Sequence, residues 1–150
     1  MEHGKHATDV KKLAILATLH CLLGCSIGEI LGMVIGAYFG IHDLAAIALS
    51  IFLAFIFGYT FTMIPLLRHM SFRKAFPKAL ASDTVSITTM EIVDNLVIVF
   101  IPGALAAGIT SFLFWGSLTL SLIVAFLVTV PVNYYLLKRG KGHALVHGDL

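Results

Sequence analysis

Between His20 and Gly40 the chain reads HCLLGCSIGEILGMVIGAYFG, apolar enough to cross a bilayer yet carrying two thiols, a carboxylate and a thioether among five glycines spaced four residues apart. A helix with that content is built to pack closely around a polar site. At 100° per residue, Gly24, Gly28, Gly32, Gly36 and Gly40 drift slowly across one broad face, and Cys21, Cys25 and Glu29 fall within the same sector. Glycines at that spacing let a neighbouring helix approach closely. An ionisable residue such as Glu29 deep in an apolar span is costly without a partner, which makes it a functional-site candidate.

The rest of the chain supports a membrane setting. Its 150 residues are 59% hydrophobic and only 12% charged, with mean hydropathy +0.97, outside the range of ordinary soluble domains. Four apolar segments, 14–40, 44–67, 84–101 and 112–137, each approach or exceed the ~18 to 20 residues that a spanning helix needs. They lack the alternation of a membrane β-barrel, and the first is too long and too interrupted by Cys and Glu for a cleaved signal peptide. The fold expected is an all-α, integral membrane four-helix bundle in a single domain.

All ten Lys and Arg residues fall in three places: Lys5, Lys11 and Lys12; Arg68, Arg73, Lys74 and Lys78; Lys138, Arg139 and Lys141. The connections around His42 and from Gly103 to Ser111 have none. The positive-inside rule then puts both termini and the central loop in the cytoplasm, with the chain in the plasma (inner) membrane. The net charge of +2 reports topology and contact with the lipid bilayer, not nucleic-acid binding. Cys21 and Cys25, four apart on one helix and nearer the reducing side, are expected as free thiols.

The turn at 40–43 is short enough to make spans one and two an antiparallel hairpin. The segment SFRKAFPKALAS alternates cations with Phe72, Phe76 and Leu80, which suits a short piece in the headgroup layer or an ordinary basic loop broken by Pro77. Asp83 is placed at the membrane surface as a cap for span three, which stops at Pro102-Gly103. Pro65 and Pro131 mirror each other, as do Glu29-Ile30-Leu31 and Glu91-Ile92-Val93. That pattern raises two repeated helical hairpins related by an axis along the membrane normal, on a short internal match.

Span three places Asp83, Thr84, Thr88, Glu91, Asp94 and Asn95 in one sector, opposite Val85, Ile92, Leu96 and Phe100. Counting inward at ~1.5 Å per residue sets Cys21 and Cys25 level with Thr88 to Glu91, and Glu29 level with Asp94 and Asn95. Three chemistries fit this constellation. Thiolates and thioethers favour soft ions, so Cys21, Cys25, Met33 and Met90, with His20 at the approach, point to binding or transport of a transition metal, copper(I) first and zinc as the harder variant. Buried cysteine and methionine also serve as plain packing, the better account of Met33 and Met63. Alternatively, Glu29, Glu91 and Asp94 cannot all be charged at close quarters, so they could hold protons or a cation as the shared acids of a carrier or channel, with Asp83 and Asn95 beside them. The third reading is a structural or assembly subunit.

His42, His69, His143 and His147 read individually as solvated, while the histidines of the inner termini, with His3 and His6, could together form a loose metal-collecting surface. Haem is a poor fit, with only His20 in a span. Nothing resembles an activated nucleophile, so an enzyme is not expected. Four short spans enclose little interior, which favours a polar path at the interface of a homo-oligomer or between the two hairpins of a dimer.

The strings TLHCLLGCSIGEILGMVIG, MEIVDN, IPGA, FWGSL and PVNYYLLKRGKGH together resemble a bacterial and archaeal four-helix membrane domain of unknown function, across Thr18 to His147. The resemblance implies a four-helix plasma-membrane protein and lends no activity. Relatives carry a longer histidine-rich N-terminal tail, whereas this chain has only His3 and His6 there.

Overall fold

A computed structural model describes residues 2–139, with side chains from residue 9 onward. It contains four helices, α1 (Glu2–Phe39), α2 (Asp43–Leu67), α3 (Phe72–Phe100) and α4 (Phe112–Lys138), and no strand among the described residues. The helices alternate in direction. The start of α1 packs on the end of α4 through Ala14, Ala17, Tyr134 and Leu137, and the end of α2 packs on the start of α3 through Met63, Leu66, Ala75 and Ala79. One end of the bundle therefore holds the chain's two described extremities and the α2–α3 connection; the other holds the 40–42 turn and the 101–111 loop.

Local chemistry sets the breaks. Gly40 takes φ +67°, and the Ile41 N–H bonds back to the Gly36 carbonyl at 2.8 Å, closing α1 in a Schellman motif. Pro102 follows the extended Ile101 and Gly103 turns the chain at φ +79°. Ser111 then starts α4, its hydroxyl accepting the Leu113 N–H at 3.1 Å. The indole of Trp115 pins the loop by donating to the Ile109 carbonyl at 2.7 Å.

Helices α2 and α4 run over the apolar segments read from the sequence, while α1 and α3 both extend beyond theirs at the N-terminal end. The basic segment after Ser71 is neither a separate surface piece nor a loop: it is the first part of α3, with Pro77 inside the helix just beyond the first turn, where few backbone bonds are lost. Asp83 is accordingly not a cap. It lies mid-helix, 1% exposed, accepting a 2.7 Å hydrogen bond from the Ser82 hydroxyl.

Three helices, α1 from Asp9, α2 and α4, are long and apolar enough to cross a membrane. The acids of α3 interrupt its apolar run. The exterior is rich in apolar side chains, among them Leu23, Phe52, Ile92, Leu96, Leu120 and Leu127, while Glu29, Asp83, Glu91, Asp94 and Asn133 are buried. That polarity is inverted relative to a water-soluble bundle and suits a lipid surround.

Candidate functional site

The site begins with a seam that fixes α1 against α2. A Cβ added at Gly28 would stand 2.5 Å from the Ala54 backbone, one at Gly32 2.5 Å from Ser50, and one at Gly24 2.9 Å from Gly58. The backbones of the two helices touch, because α2 answers the glycines with its own small residues at four-residue spacing, Ser50, Ala54 and Gly58. Gly36 has more room, its Cβ position 3.3 Å from the Ile41 carbonyl, and Gly40 faces open space.

With that face taken by α2, the adjoining edge of α1 turns Cys21, Cys25 and Glu29 toward α3 and α4. The two thiols are 3.9 Å apart and buried in one cluster with Ile87, Met90 and Ala125. Cys25 neighbours Glu91, Glu29 neighbours Asp94, and Asp94 also neighbours Ser121 of α4. Glu29, Glu91 and Asp94 are 2%, 4% and 1% exposed, so a single chain encloses them. Serines and threonines with short side chains make room for them inside four helices. No Lys or Arg among the described residues is a group acting on the three acids.

The polar line continues in both directions. Toward the end holding the α2–α3 connection, the Asn133 amide donates to Thr18 at 2.9 Å and to Ser86 at 3.1 Å, tying α1, α3 and α4 together. Toward the other end a cavity of about 540 Å³ opens, lined by Glu29, Met33, Ser50, Asn95 and Ser117, with His42 and Asp43 also on its wall. Asn95 itself donates to the Glu91 backbone carbonyl at 2.9 Å. Several buried oxygens along this line, Oδ1 of Asn133 and the hydroxyls of Ser117 and Thr129, have no hydrogen-bond partner among the described residues. Each such atom is expensive in an apolar surround.

The soft-ligand set is only partly assembled. Cys21, Cys25 and Met90 share a cluster, but Met33 lines the cavity, Met63 packs at the α2–α3 end, and the His20 ring stands edge-on to Phe61 at 5.8 Å. No group of three or more His, Cys, Asp and Glu among the described residues is arranged to hold a metal ion. His42 and His69 are exposed; His3 and His6 have no described side chains, and His143 and His147 lie outside the described residues.

Thr18, Ser50, Ser86, Ser117 and Ser121 were not singled out by sequence reasoning. A signal existed in α4, where Ser117, Ser121, Ala125, Thr129 and Asn133 recur every four residues and are all buried. In α3, Thr84 is exposed and pairs with the Tyr59 hydroxyl at 2.7 Å, and Thr88 is half-buried. Val85, Ile92, Leu96 and Phe100 face outward.

Residues 11–142 match a family described as Domain of unknown function (DUF4396), and the chain belongs to that family. Comparison with curated proteins and with solved structures returns no match.

Proposed function

We propose, from the site alone since the family lends no activity, that the protein is a proton- or cation-coupled membrane carrier or channel, with Glu29, Glu91 and Asp94 as the coupling groups. The observation that carries this is the burial of three carboxyls together, from two helices, with no Lys or Arg among the described residues acting on them. In a low dielectric such a group must be neutralised by protons or a bound cation, and either can be passed along it. The seam between α1 and α2 holds Glu29 rigidly at the cavity floor. Asp94 then relays to Glu91, and the Asn133, Thr18 and Ser86 cluster stands between the acids and the far end. In this reading α3 is the fourth span, its acids covered by α1 and α4. The basic end, with both termini, is cytoplasmic by the positive-inside rule, and the cavity opens outward from the plasma membrane.

The test uses the full chain in liposomes containing a pH-sensitive dye, under an imposed potassium diffusion potential or an imposed sodium gradient. Wild-type protein should acidify the lumen well above protein-free liposomes under one of these gradients. Asp94→Asn and Glu29→Gln should each lower the rate at least tenfold, whereas Ile92→Ala on the outer face should not. Wild-type liposomes indistinguishable from empty ones would overturn the proposal.

One observation favours the soft-metal reading as a second account. A 3.9 Å sulfur separation lies within the reach of two ligands each ~2.3 Å from a shared ion, and the Met90 side chain is in the same cluster. Copper(I) would here be cargo or a bound ion held by Cys21 and Cys25. Under anaerobic, reducing conditions the wild type should take up copper(I) stoichiometrically and a Cys21→Ser/Cys25→Ser variant should not; a wild type that takes up none removes this account.

A further inference from the structure

The cavity at the loop end has features that a passage for protons alone does not require. Its volume, about 540 Å³, falls within the roughly 300–1,000 Å³ of small-molecule sites, and much of its wall is apolar, including Ile47, Ile98, Phe114 and Leu118. A few polar groups converge on it. Glu29 lies at its inner limit, and Asp43, His42 and Asn95 stand on its wall. Carboxyl oxygens so placed accept hydrogen bonds from a ligand that donates them.

The charges narrow the ligand further. Acidic Glu29 and Asp43 line the cavity, the imidazole of His42 is its one group able to become cationic, and no Lys or Arg is present on the wall. An anion has no counter-charge here except at His42. A hydrated inorganic cation gains nothing from the apolar wall. A small organic ammonium satisfies both parts: its N–H groups donate to the Glu29 carboxylate, and its hydrocarbon body fills the rest, with the Phe114 ring available to a cation.

We propose that this cavity is a binding site for a small organic ammonium ion with a compact apolar body, entering from the loop end and reaching Glu29. This rests on the carrier reading only through Glu29 and names the class of solute that such a carrier would exchange against protons or cations.

The experiment titrates the purified full chain in detergent with benzylamine and, as the neutral match of equal size, benzyl alcohol, by calorimetry. Benzylamine should saturate with one site and bind at least tenfold more tightly than the alcohol. Glu29→Gln should abolish that preference. Ser117→Leu, which fills the floor, should weaken benzylamine binding at least tenfold; should that variant fail to fold, Ala107→Phe in the surface loop narrows the same cavity without touching the helix contacts. Equal affinity for amine and alcohol would overturn the proposal, since the cavity would then be selecting only for apolar volume, and so would absence of benzylamine binding. Proton or sodium-driven uptake measured without amine separates the two readings. Uptake without benzylamine binding defeats the ammonium site alone, while binding without uptake defeats the carrier reading and leaves the ammonium site standing.

Discussion

Two edges of the same helix do opposite work. Along one, α1 meets α2 through Gly24, Gly28 and Gly32 against Gly58, Ala54 and Ser50, backbone to backbone, with almost no side chain between. Along the other, it meets α3 and α4 through Cys21, Cys25 and Glu29, where Glu91, Asp94 and Ser121 lie beside the apolar Ile87, Met90 and Ala125. The first edge gains from close dispersion contact, which falls away steeply with a small separation. The second carries buried acids that cost stability. The difference teaches that the bundle's rigidity and its chemistry reside on separate surfaces of one helix. Substitutions should therefore divide cleanly into those that break the fold and those that break only the function.

The largest effect expected is at the seam. Gly28→Leu drives a side chain into the Ala54 backbone and should cost more than ~3 kcal/mol, read as loss of the cooperative thermal transition in detergent. A folded, wild-type-like Gly28→Leu protein would break the comparison at once. Asp94→Asn should show the opposite profile. Ion-driven uptake should fall at least tenfold while the melting temperature holds or rises, because the change removes a buried acid yet keeps its shape. An Asp94→Asn protein that unfolds would mean that the acids are structural after all. Asn133→Leu sits between the two classes: it removes hydrogen bonds to Thr18 and Ser86, and should cost about 1–2 kcal/mol in detergent unfolding. The smallest effect is expected at Gly116 of α4, where an added Cβ meets nothing within 4 Å. Gly116→Ala should raise stability by about 0.5–1 kcal/mol, sharpening the contrast with Gly28, a glycine of the same chemistry in a helix of the same kind.

Much of the architecture was legible in the order of residues. The apolar runs and their breaks at Gly40, Pro102-Gly103 and Ser111 give four helices, because local turn chemistry acts within a few residues. The pairing of levels was legible too: counting along α1 and α3 sets Cys25 near Glu91 and Glu29 near Asp94, as they are found, since the rise of a helix is fixed. Where α3 begins was not legible. Cations and Pro77 before Asp83 look like a boundary, yet Ala75 and Ala79 pack on Met63 and Leu66 of α2 and hold that stretch helical. The same tertiary contact turned Asp83 from a cap into a buried residue.

The sequence by itself determined that this chain is helical, apolar outside, and equipped with acids and thiols at matched depths, because periodicity and composition are properties of each helix alone. Only the tertiary structure decided which face of α1 each neighbour takes. Since α2 brings its own small residues at four-residue spacing, it claims the glycines, and the acids are left to α3 and α4. That choice depends on the shape of a second surface, which no single helix encodes. From it follow the enclosure of the acids within one chain and the cavity that ends at Glu29.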